Sequence, residues 1–201
     1  MINLDMAEEF KKKSLDKRGF FKDLLLSVFL MSLSYTVIFF INQQSLRQGA
    51  NDPQMQISQD AALQLASGKS LEIFLDTKLV DIEASLSPYI FVYDDKGVLL
   101  FSSARLSGNV PSIPKGVLSY TRANKIDKVT WQPRSGVRQA IVARYYEGSQ
   151  KGFVVSGRSL LEVEARIDHT LKQMLMLWFV SVVFLVAINY LLNFKTNRKQ
   201  V

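Results

Sequence analysis

Two stretches of the chain carry no charge and little polarity. Residues 24–41, LLLSVFLMSLSYTVIFFI, form a run of 18, and residues 174–192, MLMLWFVSVVFLVAINYLL, a run of 19. A helix rises about 1.5 Å per residue and the hydrocarbon layer of a bilayer is about 30 Å thick, so each run is long enough to cross it. A cleaved signal sequence would end in small residues, whereas the first run passes into FFINQQSLRQ. It therefore reads as an uncleaved anchor. The second run would be a core helix in a large soluble protein, but no other segment here is big enough to surround it.

Between the runs the period shortens. Residues 89–93 and 98–102 read as strands around DDKG, whose Asp94, Asp95 and Gly97 suit a tight turn. Three further strands follow at 128–133, 137–146 and 152–158, broken by RSG and EGSQKG, both hairpin-like. A helix is expected from Asp52 and Pro53 to a stop at Gly68, with Ala61, Ala62, Leu65 and Ala66 on its packing side. A shorter helix or turn covers 117–123. Residues 71–83 mix periods and stay unassigned. Consecutive hairpins with flanking helices predict an α+β domain around a five-stranded antiparallel sheet.

In residues 152–167, GFVVSGRSLLEVEARI, strand gives way to helix without a break. Ser159 and Glu162 match the S-x-x-E capping box. Leu160, Val163, Ile167, Leu171, Met174 and Trp178 then recur at helical spacing, with no Gly or Pro before Phe194. A single helix of 35 residues, about 52 Å long, would join the sheet to the second apolar run. Such a rod can relay a change outside to the inside, and it serves equally as a passive stalk.

Charge sets the orientation. Lys11, Lys12, Lys13, Lys17, Arg18 and Lys22 precede the first run, and Lys195, Arg198 and Lys199 follow the second. Short cytoplasmic flanks collect Lys and Arg, so both termini are expected in the cytoplasm. The expected organisation is a basic segment (1–23), a transmembrane helix (24–41), an extracytoplasmic domain (42–173), a second transmembrane helix (174–194) and a tail (195–201). The net charge of +7 is spread over all these parts, which is not the clustered basic face of a nucleic-acid binder. The basic ends suit anionic headgroups of the lipid bilayer. With no cysteine, the exported domain has no disulfide or thiolate metal site and depends on its core.

Two of these segments carry a resemblance. YIFVYDDKGVLLFSS resembles the first hairpin, and GFVVSGRSLLEVEARI the last strand and signalling helix, of the PAS-like or Cache-like extracytoplasmic input regions of bacterial sensor histidine kinases and chemoreceptors. The resemblance covers roughly residues 45–195 and implies a PAS-like sheet, a bacterial inner or plasma membrane, and signal transduction of the two-component kind. The chain departs from the pattern after the second run, where KTNRKQV is all that this sequence holds of a kinase output. Its one histidine, His169, precedes that run, on the wrong side for ATP-dependent phosphorylation.

The residues offer little chemistry for an enzyme. One histidine on a stalk cannot complete a triad in the sheet, the Gly-containing turns are too short to cradle phosphate, and no His or carboxylate cluster has metal-ligand spacing. Asp94 and Asp95 could be a metal pair, but the turn explains them. No cofactor is expected. A small anionic ligand is conceivable on the late strands. Alternation places Arg138, Ala140, Val142 and Arg144 on one face, where two guanidiniums beside small residues could grip a carboxylate or phosphate. Tyr93, Trp131 and Arg134 would line the same hollow. The competing view is a face of solvated arginines. Asn189 could bond a partner helix or its own protein.

These readings converge on a non-enzymatic membrane-anchored sensor or regulatory module that passes a ligand or partner signal through its second transmembrane helix to a membrane or cytoplasmic protein, with room for a homodimer. The alternatives are a structural accessory subunit docked on a larger membrane complex, and the input half of a split histidine kinase.

Overall fold

The computed structural model describes the backbone of residues 2–198 and the side chains of residues 21–191. Of the basic flanks, the side chains of Lys11, Lys12, Lys13, Lys17, Arg18, Lys195 and Arg198, and all of Lys199, lie outside the described residues. In chain order the elements are helix α1 (Ile2–Gly49), helix α2 (Asp52–Ala66), a 3-10 turn (Leu71–Phe74), strands β1 (Val80–Asp81), β2 (Tyr89–Asp94), β3 (Leu99–Ser102) and β4 (Ala104–Arg105), helix α3 (Lys115–Asn124), strands β5 (Ile126–Arg134), β6 (Val137–Glu147) and β7 (Lys151–Ser159), and helix α4 (Leu161–Arg198). They fall into two units, Gln44–Ile167 and the pair Met1–Gln43 with Asp168–Val201.

Gln44–Ile167 is an α+β unit around a five-stranded antiparallel sheet of order β3-β2-β7-β6-β5. The first and last strands of the sheet lie side by side, with Phe91 opposite Val155. Both faces of the inner strands are covered. On one face Tyr89, Phe91, Tyr93, Ile141, Tyr145 and Phe153 pack with Leu118 of α3. On the other, Ile90, Val92, Tyr146 and Val154 pack with Ala61, Ala62 and Leu65 of α2. Phe91, wholly buried, is the aromatic hub: Tyr89 meets it edge-on at 5.7 Å, Tyr93 stacks at 6.1 Å and Trp131 meets it edge-on at 6.3 Å. Such pairs add to the burial of the rings themselves.

Two glycines permit close approaches. A Cβ on Gly157 would run into the Tyr89 ring, and one on Gly148 into the carbonyl of Ala66. The Ala66 oxygen accepts the Ser149 N–H at 2.8 Å, so the end of α2 is seated on the β6–β7 turn.

Helix α2 begins where expected, but Asp52, the expected cap before Pro53, is already helical, and the residue in the cap position is Asn51. Asn51 has φ −91° and ψ −13° and makes no side-chain cap bond. Capping needs extended backbone, and here α1 ends at Gly49, so the chain reaches Pro53 while still in helical conformation. The unassigned stretch 71–83 holds the 3-10 turn and β1, which pairs in parallel with β4. Elements of four and two residues are too short to display a period.

The capping box at Ser159 is not formed as expected either. Ser159 still belongs to β7 and its hydroxyl accepts the Leu161 N–H at 3.3 Å. Glu162 binds Arg158 at 2.6 Å and Arg166 at 2.5 Å instead. Two guanidiniums within reach hold this carboxylate more strongly than one backbone amide would.

The second unit comprises the two helices long and apolar enough to cross a membrane. On α4 the half-buried positions Met174, Trp178, Ser181, Leu185 and Asn189 repeat at helical spacing. Facing α1, Trp178 Nε1 donates to Ser32 Oγ at 2.9 Å, and the Tyr35 and Ser181 hydroxyls lie 3.0 Å apart. Ser32, Ser34, Thr36, Ser181 and Asn189 each also donate to the carbonyl four residues earlier, at 2.7–3.0 Å. Polar side chains that bond their own helix need no water. Asn189 thus bonds within its own chain.

Candidate ligand-binding site

The five residues singled out from the sequence do not form one hollow. Arg138, Ala140, Val142 and Arg144 do share the α2 face of β6, as strand alternation requires, because Val142 pairs with Ser156 and Arg144 with Val154. Tyr93 and Trp131 belong to the core on the opposite face. Trp131 is turned there by a bulge. The hairpin closes with Arg134 opposite Val137, but between Trp131 and Arg134 the register slips, so Trp131 faces Gln139 rather than Ala140. Pro133, which has no N–H to give the ladder, sits inside the bulge. A slip of one residue exchanges the two faces. Arg134 pairs with Glu83 and donates to Ser107 Oγ at 3.0 Å, tying down two loops rather than lining a cavity.

Arg138 and Arg144 share a face but not a site. Six strand residues span about 20 Å, beyond the reach of one small ligand. Arg144 is half-buried, and its Nε is shielded with no hydrogen-bond partner among the described residues. Arg138 pairs with Glu164 in the first turn of α4, and its carbonyl accepts the Leu160 N–H, just before that turn, at 2.9 Å. The same residue therefore holds the start of α4 by backbone and by side chain.

A cavity of about 320 Å³ opens beside this tie. Its floor is Lys128, Thr130 and Ala140 on the sheet; one wall is Leu160, Val163, Glu164 and Ile167 on the entry to α4. The other wall is the polar end of α1, where Gln44, Arg47 and Gln48 occur at i, i+3 and i+4 and so present one helical face, with Asn51 just beyond the helix. Three cations, Arg47, Lys128 and Arg138, meet one carboxylate, Glu164. Two acids in the first turn, Glu162 and Glu164, also complement the positive end of the α4 dipole.

A scan of protein-family models and searches of curated proteins and solved structures found no match to this chain.

Arg47, Lys128 and Glu164 were not singled out from the sequence. The spacing of Gln44, Arg47 and Gln48 was a usable signal, but only the structure shows that this polar stretch continues the helix of the first apolar run. Lys128 could be assigned to the Arg138 face only with the bulge known. Nothing local links Glu164 to Arg138, 26 positions away.

A second polar cluster is structural. Asp95 accepts from the Tyr145 hydroxyl at 2.8 Å and from Arg122 at 2.7 Å. These two bonds, Tyr145 first, hold its carboxyl below the usual carboxylate range, and the same bond to Asp95 raises Tyr145. Arg122 lies over the Tyr145 and Phe153 rings at 5.2 and 5.1 Å, so α3 is fastened to the sheet. Asp94 accepts the Val98 N–H at 2.7 Å and closes the β2–β3 turn. The adjacent acids are thus occupied separately, and no group of three or more metal-ligating side chains is gathered among the described residues. His169 is exposed on α4.

Proposed function

We propose that the chain is a non-enzymatic, membrane-anchored sensor or regulatory module: its PAS-like sheet domain lies outside a bacterial inner or plasma membrane, both termini lie in the cytoplasm, and α4 carries the signal to another membrane or cytoplasmic protein. One observation carries this reading. The cavity is walled by the first turns of α4, so a molecule bound there touches the helix that contains the second apolar run. A passive stalk has no need of a cavity at its root, nor of one arginine gripping that root twice.

The test places a photo-crosslinking amino acid at Leu177, Phe184 or Leu191, which point away from α1 at 53, 66 and 62 % exposure. A relay partner is recovered as one discrete protein adduct at one or more of these positions. Lipid adducts alone at all three would remove the relay. Reporter fusions at Gly148 must read extracytoplasmic, and a cytoplasmic signal there would overturn the topology.

The accessory-subunit reading has its own supporting feature. The outer edge strand β3 carries no charge, and Val98, Leu99 and Leu100 are 57, 39 and 48 % exposed. Edges of this kind invite another strand. If docking is the function, Leu100→Lys strips a stably co-purifying subunit while crosslinks from α4 stay absent.

A further inference from the structure

We infer that the cavity between the end of α1, the β5–β6 edge and the entry to α4 binds a phosphate-bearing anion, and that the anion takes Glu164's place on Arg138. The inference rests on the reading of this cavity as the input site and names the chemistry of the input.

Charge argues for the class. Arg122, Lys125, Arg134 and Arg158 each have a carboxylate partner. Arg47 and Lys128, like Lys69, Lys96 and Lys151 elsewhere in this unit, have no ion-pair partner among the described residues, but these two converge with Arg138 on one cavity. With Arg138 they outnumber Glu164 by three to one, an excess of two positive charges. A phosphate monoester carries about −1.5 to −2 at neutral pH, which matches that excess, whereas a single carboxylate leaves one cation unanswered. Guanidinium groups take phosphate oxygens two at a time, and a lysine adds a point charge. The amides of Gln48 and Asn51 supply neutral donors on the α1 side.

Size and lining argue for a small body on that phosphate. A volume of about 320 Å³ is at the low end of small-molecule pockets. Val163 and Ile167 give the wall an apolar strip on which a few carbons can lie. A free phosphate monoester and the monoester headgroup of phosphatidic acid both have this chemistry. In the proposed topology both can reach the site, because Gln44 follows the apolar run by three residues on the same helix.

Arg138 supplies the switch. Its guanidinium can serve Glu164 or the ligand, while its carbonyl keeps Leu160 in either state. Binding therefore frees the first turn of α4 from the Arg138 side chain and leaves Leu160, the residue before it, attached to the sheet.

The experiment uses the full chain in nanodiscs of phosphatidylcholine, titrated with sn-glycerol 3-phosphate against sodium chloride at equal ionic strength, and separately in nanodiscs in which phosphatidic acid replaces part of the phosphatidylcholine. A specific rise in melting temperature with the soluble ester assigns a free ligand, and a rise only with the anionic lipid assigns a headgroup. Arg47→Gln and Lys128→Gln each weaken that response about tenfold or more, as the loss of a charge-assisted hydrogen bond requires, and Lys128→Arg restores it. Glu164→Gln, which removes the competitor, strengthens binding about fivefold; a site in which Glu164 only props the helix would be weakened by that change. No rise in either arm, or glutamine variants that respond like the parent, overturns the inference. If crosslinks from α4 persist in that event, the sensor reading stands and only the anion is lost.

Discussion

In Gln44–Ile167 the large apolar side chains turn inward: Phe91, Ile141, Val142 and Val154 are wholly buried. In the helix pair the order is reversed. Phe29, Ile41, Met176 and Phe184 stand 64–67 % exposed, while Ser32, Tyr35, Trp178 and Ser181 bond to one another across the helices. The same residue types face opposite ways, the arrangement expected of one unit in water and one in hydrocarbon. Water rejects the aromatic hub around Phe91, and hydrocarbon rejects an unpaired hydroxyl or indole N–H. The contrast supports the proposed membrane placement of the helices and the aqueous placement of the sheet.

Substitutions can break this contrast, and the largest effect falls in the sheet unit. Phe91→Ala empties the hub and costs about 3–5 kcal/mol, seen as a fall in the thermal midpoint of the full chain in detergent. Next in size is Val183→Arg, on the outward side of α4. In a membrane helix it costs about 2.5–3.5 kcal/mol of insertion near the centre, measured by the fraction of chains that span in a glycosylation-mapping assay. On a water-facing helix the same change would fall within about 0.5 kcal/mol, so full insertion by the variant would break the comparison.

Alkaline titration sharpens the other side. Burial pushes the Tyr93 hydroxyl up to about 12 from its ordinary 10.0 and raises Tyr89 as well. Raised tyrosines contribute stability in full below pH 10, where folded and unfolded chains both hold the proton. It is lost as pH climbs from 10 through 12, because the unfolded chain ionises first. For Tyr93 alone the loss is about 2–3 kcal/mol, and Tyr93→Phe flattens the pH dependence of melting in that window. The smallest effect is expected from Trp178→Phe, which removes the bond to Ser32. About 0.6 kcal/mol of helix–helix affinity goes with it, measured by denaturant titration in micelles.

How much of this was legible depended on the range of the signal. The five strands of the main sheet and helix α2 could be read to within a few residues, since short β-branched and aromatic runs such as Tyr89–Asp94 and Val137–Glu147 report burial on both faces on the spot. The candidate site was legible only in part. Arg138 was found, because its place on a strand is local information. Trp131 was assigned to the wrong face because one bulged residue at Pro133 reverses the faces of the strand before it. Arg144 was joined to Arg138 although strand rise alone separates them by about 20 Å.

The amino-acid sequence by itself determined the two apolar helices, the α+β class and the strand-to-helix passage at Ser159, for these follow from periodicity and from the solvent each segment tolerates. Only the tertiary structure decided that β2 lies beside β7, that Arg138 meets Glu164, and that Arg47 and Lys128 close round the same cavity. Pairings across tens of residues are set by the packing of whole faces, and no single segment carries their record.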